Sequence, residues 1–177
     1  MGLVTVIRPE FVKMILGQFP IEVEGIHGLL HWARVLYNGR FICQYTPARQ
    51  DVVEYFALLH DSRRFSNGGD YLHGPRAARF AAAIRDEWIS LDDDGFRLLQ
   101  QAIHGHTRGG CGADISVQAC WDSDRLDLGR VGIQPIARRL CTAPAREEAT
   151  IRMATEHAAG SWVAEDILAE WGVKWPR

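Results

Sequence analysis

His60 and Asp61 stand together at the end of an apolar run, VVEYFALLHDSRR, where an imidazole and a carboxylate interrupt a hydrophobic pattern. Burying that pair is costly unless something binds it. His31 lies upstream in HWARV and Asp124 downstream in DSDRLD, so the chain reads H…HD…D. Imidazoles and carboxylates from three helices can enclose one metal ion. Mixed nitrogen and oxygen donors suit divalent transition metals such as iron, manganese, nickel or zinc. The chemistry such a set points to is metal-dependent hydrolysis.

Each of these residues also has an ordinary use. His60 and Asp61 sit about 100° apart around a helix, so their tips can converge on an ion beside it. Alone, the pair would also suit a plain helix end, with Asp61 solvated and His60 bonded to a carbonyl. The ordered partners His31 and Asp124 favour the metal. His27 and His31 are four apart and can face one ion, but Gly28-Leu29 follows His27 where HExxH requires Glu. A metalloprotease motif is therefore absent, and either histidine alone is more often a hydrogen-bonded core residue. Arg34, one turn past His31, is placed to bond carboxylates or helix ends. Asp122, Asp124 and Asp127 compete for the last ligand position. Asp124 follows Val117, Cys120 and Trp121 in helical phase, whereas Asp127 can orient an arginine or a ligand histidine. Asp122 falls off that stripe and reads as a supporting or surface group.

The elements that must position these groups are helical. Pro9 to Phe19 predicts a short helix opened by proline. A second is expected from about Glu22 to Tyr37, stopping at Asn38-Gly39. Pro47 opens a third that reaches His60, with Val53, Phe56 and His60 on one inward face. Phe65 to Leu72 is a loop by composition, and Gly74-Pro75 starts a helix to about Trp88. The acidic cluster Asp92 to Asp94 precedes a helix over Phe96 to His104. Thr107 to Gly112 is a second glycine-rich loop, and Asp114 can cap the next helix. Arg146 to Trp171 reads as one or two helices. No stretch reads as a strand, so the fold class is all-α, a bundle of roughly seven to nine helices.

The 177 residues suit one domain with a sizeable core, and a net charge of −2 disfavours general nucleic-acid binding. No run is long enough to span a membrane, and MGLVTVIRPEF is neither a signal peptide nor a myristoylation site. Cys43, Cys111, Cys120 and Cys141 form no CxxC pair and are expected as reduced thiols. The resulting expectation is a cytoplasmic monomer or a small oligomer such as a homodimer.

HWARV, LLHDSRR and DSDRLD, in this order and on helices, resemble the HD-domain superfamily of metal-dependent phosphohydrolases. The resemblance covers about residues 22–133, with 134–177 as a C-terminal helical extension of the same single domain. Leu72-His73-Gly74-Pro75 resembles the LHGP of bacterial diadenosine-tetraphosphate hydrolases in its binuclear branch, and Ala102 to Thr107 resembles their segment ending in His-Thr. The resemblance implies that His31, His60, Asp61 and Asp124 hold a first metal. It implies that Asp61, His73 and His106 hold a second, with Asp61 bridging. His104, two residues before His106, leaves the register of that second site open. Two ions about 3.5–4 Å apart can activate a water and clamp a phosphoryl group.

Arg63, Arg64, Arg76, Arg79, Arg108, Arg125 and Arg130 crowd the loops between these ligands. Guanidinium groups recognise phosphate through paired donors, although any single one is more often a surface salt bridge. Arg64 matches the family's HDxxR position, which makes Asp61 and Arg64 the candidate catalytic residues. Gly68-Gly69 and Gly109-Gly110 lack a P-loop pattern and offer flexibility around the site. Trp162, Trp171 and Trp175 are expected to pack a terminal helix on the bundle. The expected substrate is a small phosphoester such as a nucleotide. The rival readings are an HD-type di-iron oxygenase and a metal-bound sensing domain without turnover.

Overall fold

Helical periodicity in the sequence becomes helix throughout the computed structural model, which describes residues 5–160 and 162–175. Among the described residues there are ten α-helices, two 3-10 turns and no strand. They run α1 (Pro9–Gly17), α2 (Leu29–Gln44), α3 (Gln50–Leu59), α4 (His73–Ala83), α5 (Arg85–Trp88), α6 (Asp93–Gly105) and α7 (Ile115–Leu126). After 3-10 turns at Asp127–Val131 and Ala137–Arg139 come α8 (Ala143–Arg146), α9 (Glu148–Ala159) and α10 (Glu165–Glu170). The all-α reading holds. The count reaches ten because α5 and α8 are single turns.

α3 is the axis of the bundle. Val52 to Leu59 are buried all round, since the helix is enclosed by α2, α6 and α7. α4 lies against α6, while α9 covers the first 3-10 turn and touches α2. Asp92 and Asp114 cap α6 and α7, accepting from Gly95 N at 2.6 Å and Ser116 N at 2.8 Å. Trp171 is fully buried and Trp162 stacks on His157, so these two tail tryptophans pack as expected.

α2 departs from the expected span at both ends. Residues 22–28 form turns that fold back, with Leu29 N donating to Val23 O, so the helix starts only at Leu29. It then continues through Asn38-Gly39 to Gln44. Gly39 serves a crossing and not a stop: a Cβ there would lie 2.3 Å from Val53 Cγ1 on α3. Asn38 donates to Ser123 O on α7, a tertiary use that replaces helix termination. The helix expected from Gly74 to Trp88 breaks at Ile84 into α4 and α5.

Cys111 and Cys141 are joined by a disulfide, with Cα atoms 4.9 Å apart, which corrects the expectation of four reduced thiols. Cys43 and Cys120 are free. The partners are 30 residues apart, and meet because the chain turns back beside α7. Spacing alone carries no sign of that return. No helix of the described residues is long and apolar enough to cross a membrane.

Candidate metal centre

Helix crossing brings the H…HD…D residues to one point. His31 projects from the first turn of α2, His60 and Asp61 follow the last residue of α3, and Asp124 lies in the last turn of α7. His31 Nε2 lies 3.0 Å from His60 Nε2 and 3.4 Å from Asp124 Oδ1. Asp61 Oδ2 is 3.6 Å from His31 Nε2 and 3.8 Å from His60 Nε2. Donors bonded to one ion at about 2.0–2.2 Å are separated by similar edges.

A second group adjoins the first through Asp61. Its Oδ1 lies 3.2 Å from His73 Nε2 and 3.6 Å from His106 Nε2, and those two nitrogens are 2.7 Å apart. His73 opens α4 and His106 follows the end of α6. Gly74 permits their approach, since a Cβ there would stand 2.8 Å from Ile103 O. His106 is buried, whereas His104 is exposed and lies outside the cluster. Thus Asp61 faces His31 and His60 with one oxygen and His73 and His106 with the other.

The protons on these rings decide what the clusters can hold. His31 Nδ1 faces Asp127 Oδ2 at 2.7 Å, and His60 Nδ1 faces the carbonyls of Phe56 and Ala57 at 3.2 Å. His106 Nδ1 lies 2.8 Å from Ile103 O, and His73 Nδ1 faces Asp70 O. Oxygens of this kind only accept, which places the ring proton on each Nδ1. In the neutral form of each ring, Nε2 is then a bare lone pair turned toward its neighbour. Such an arrangement fits a cation between them.

Charge in the site supports the same conclusion. Burial, aided by Arg130, pushes His31 well below its ordinary pKa, and burial takes His60 down to about 4. Both rings are neutral near pH 7 and free to coordinate. Burial alone would raise Asp61, but the imidazoles around it, His60 first and then His106, His27 and His73, hold it well below the carboxylate range. Burial likewise opposes a net rise at His106, which the facing Asp61 carboxylate produces. Positive charge is welcome between Asp61 and its histidines.

Supporting residues follow the same logic. Asp127 accepts from Arg34 Nε at 2.6 Å while holding His31, the orienting role its position in sequence allowed. His27, weighed as a possible ligand beside His31, places Nδ1 2.9 Å from Asp61 Oδ2 and groups with His31 and Asp61 as donors that could also hold an ion, with Arg130 Nη2 3.4 Å away. Asp122 is no surface group: it is fully buried and accepts from the backbones of Cys141 and Thr142. Replacing Asp127 with alanine is expected to weaken metal affinity roughly 10–100-fold, as loss of an orienting carboxylate does. Competition against a metal-binding dye, with circular dichroism to verify the fold, measures it. An unchanged affinity removes Asp127 from the site.

A cavity of about 700 Å³ opens above Asp61, His73, His106 and Asp124. Arg64, Arg108, Arg125 and Arg130 line it, whereas Arg63, Arg76 and Arg79 do not. Arg63 instead bonds Gln18 and covers the Phe80 ring, and Arg76 pairs with Asp70. Arg138 and Arg139, which the sequence reading passed over, do line the cavity, together with the apolar side chains of Leu128, Ile133 and Ile136. No motif marks them. Only the return of the chain after α7 brings them there.

No protein-family model matches the chain, and no curated protein does. Its structure is similar to the crystal structure of a predicted HD superfamily hydrolase from an uncultured Thermotogales bacterium, with a TM-score of 0.65. The alignment covers 92% of both chains at 23% identity, so the likeness is one of fold. The chain has the HD-domain helical fold.

Proposed function

We propose that this chain is a metal-dependent phosphohydrolase acting on a small phosphoester such as a nucleotide, in the cytoplasm. One observation carries the reading: two pairs of Nε2 atoms, 3.0 and 2.7 Å apart, flank Asp61 at the floor of an arginine-lined cavity. His31, His60, Asp61 and Asp124 would hold one divalent ion, and Asp61, His73 and His106 a second. Iron, manganese, nickel and zinc all suit these donors. A bound ion of this kind supplies hydroxide near neutral pH and positive charge for phosphoryl oxygens.

The chain's own residues do the rest. The imidazoles packed around Asp61 outweigh its burial and hold its carboxyl well below the carboxylate range, so it stays charged near neutral pH. Asp127 and the carbonyls at Phe56, Ala57 and Ile103 fix ring orientation. A cavity of about 700 Å³ falls in the range that encloses nucleotide-sized ligands, with an apolar wall for the organic part. Arg64 lies at the edge of the floor, with Nη1 3.5 Å from Asp61 Oδ1 and its other nitrogens bonded to Ser66 O and Gly68 O.

Metal analysis of protein purified without chelator, paired with a phosphate-release screen on nucleotides and simple phosphoesters, tests the reading. Metal-dependent release that a chelator abolishes is the expected result. Full metal loading with no turnover on any phosphoester would leave a sensing domain, and oxygen-dependent turnover with a visible charge-transfer band would indicate an oxygenase. Arg64→Ala is expected to lower kcat/KM roughly tenfold to hundredfold with little change in metal content, the loss typical of a charged hydrogen bond. Arg64→Lys should recover only part, since lysine cannot make a paired contact. Unchanged efficiency would make Arg64 a holder of the 66–68 loop alone.

A further inference from the structure

Charge is spread unevenly over this chain. The whole carries a net −2, yet six arginines and only two carboxylates line the cavity. Both carboxylates, Asp61 and Asp124, belong to the donor clusters, so an ion bound between them raises the positive excess further. A single phosphate group brings about two negative charges at most near neutral pH, too few to offset that excess. A cleft lined by one sign of charge focuses its field and favours a ligand with several charges of the other sign.

The six arginines differ in what they already hold. Arg64, Arg125 and Arg130 donate to backbone oxygens, and Arg64 and Arg130 also stand 3.5 Å from Asp61 and 3.8 Å from Asp124. Arg108, Arg138 and Arg139 are exposed, and among the described residues their guanidinium groups have neither a carboxylate nor a hydrogen-bond acceptor. Arg108 has only a ring contact, 5.9 Å from the Tyr71 centroid. The backbone beneath these three is fixed. Arg108 N donates to Gly105 O at 3.0 Å, and Gly109 rests against the Trp121 ring. Arg139 N donates to Ile136 O at 2.9 Å, and Cys141 N donates to Asp122 at 2.9 Å. Arg125 joins the two segments, because Nη2 donates to Gly109 O and Nη1 to Arg139 O. Three free guanidinium groups therefore stand on anchored chain at either side of one arginine. Anchoring of this kind lowers the ordering cost when they close on an anion.

We propose that this cavity takes a ligand bearing a chain of two or more phosphates, and that Arg108, Arg138 and Arg139 bind the phosphate beyond the one at the floor. The proposal rests on the phosphohydrolase reading only for what occupies the floor. There the donor clusters and the deeper arginines meet the reacting phosphoryl group. The outer three offer paired donors that nothing in the protein uses, which is what a second phosphate needs. A monophosphate reaches the floor and leaves them empty, so the outer set acts as a selector for ligand charge and length.

Calorimetric titration with inorganic tripolyphosphate and with orthophosphate, at one fixed concentration of free manganese, tests the subsite. The proteins are the wild-type chain, a triple variant (Arg108→Ala, Arg138→Ala, Arg139→Ala) and Arg79→Ala, which removes an exposed arginine outside the cavity. The wild-type chain should bind tripolyphosphate at least about tenfold more tightly than orthophosphate, the scale of one charged hydrogen bond. The triple variant should lose about tenfold to hundredfold for tripolyphosphate and less than about twofold for orthophosphate, the loss of one or two such bonds. Lysine at all three positions should recover only part of that loss, since it cannot make a paired contact. Arg79→Ala should match the wild-type chain with both ligands, and circular dichroism and metal content should be equal in all the proteins. Equal tripolyphosphate affinity in the wild-type chain and the triple variant overturns the subsite. So does a parallel loss of orthophosphate, and so does an equal loss in Arg79→Ala, which would mean general surface charge. Selectivity for tripolyphosphate that needs these arginines, in a protein without phosphoester turnover, would sink the hydrolase reading and leave the subsite standing.

Discussion

Asp61→Ala is expected to empty both donor clusters and abolish turnover while leaving the helical fold largely intact. The reason is position. Oδ2 of Asp61 faces His31 and His60, and Oδ1 faces His73 and His106, so one carboxylate completes two sets. Four imidazoles then remain with bare Nε2 atoms and far less negative charge to hold a cation. Removing one partner from a buried charged group costs about 3–5 kcal/mol, which corresponds to roughly 10²–10⁴-fold in affinity or rate. Asp61→Asn keeps the shape and loses the charge, so it separates electrostatics from packing. Plasma emission spectrometry of the purified variants measures the metal, and far-ultraviolet circular dichroism verifies the fold. Wild-type metal content in Asp61→Ala would break the central assignment.

The fold and the first donor set were legible because each rests on a local pattern. Apolar positions three and four apart specify helix and inward face together, so Val53 and Phe56 also aim His60. Asp114 as a cap needs only its own loop and the helix after it. What stayed hidden depends on long-range return of the chain. Asn38-Gly39 reads as a stop in isolation, yet contacts with Val53 and Ser123 make it the inside of a helix crossing. Asp122 falls off the Asp124 stripe, and its partners at Cys141 and Thr142 arrive only once the chain folds back. The same return joins Cys111 to Cys141 and carries Arg138 and Arg139 to the cavity. Arginine clustering in sequence was a poorer guide, since Arg63 and Arg76 turn to Gln18 and Asp70 instead.

His106→Ala is expected to lower the metal count by about one ion per chain, while His104→Ala leaves it unchanged. The sequence HGHT offers two histidines, and the end of α6 chooses between them. His106 caps the helix, bonds Ile103 O at 2.8 Å through Nδ1, and turns Nε2 to within 2.7 Å of His73 Nε2. His104 lies two residues earlier, about 200° around a helix, and is exposed. The first donor set does not include His106, so one ion should survive its loss. Turnover should nonetheless fall by roughly 10²-fold or more, because a phosphoryl clamp of two ions is reduced to one. Metal-to-protein ratios for the two variants, with steady-state rates on any accepted phosphoester, decide the matter. A sensitive His104 would shift the second site by two residues. Loss of both ions from His106→Ala would show that Asp61 cannot hold the first set alone, and that the two clusters fill as a unit.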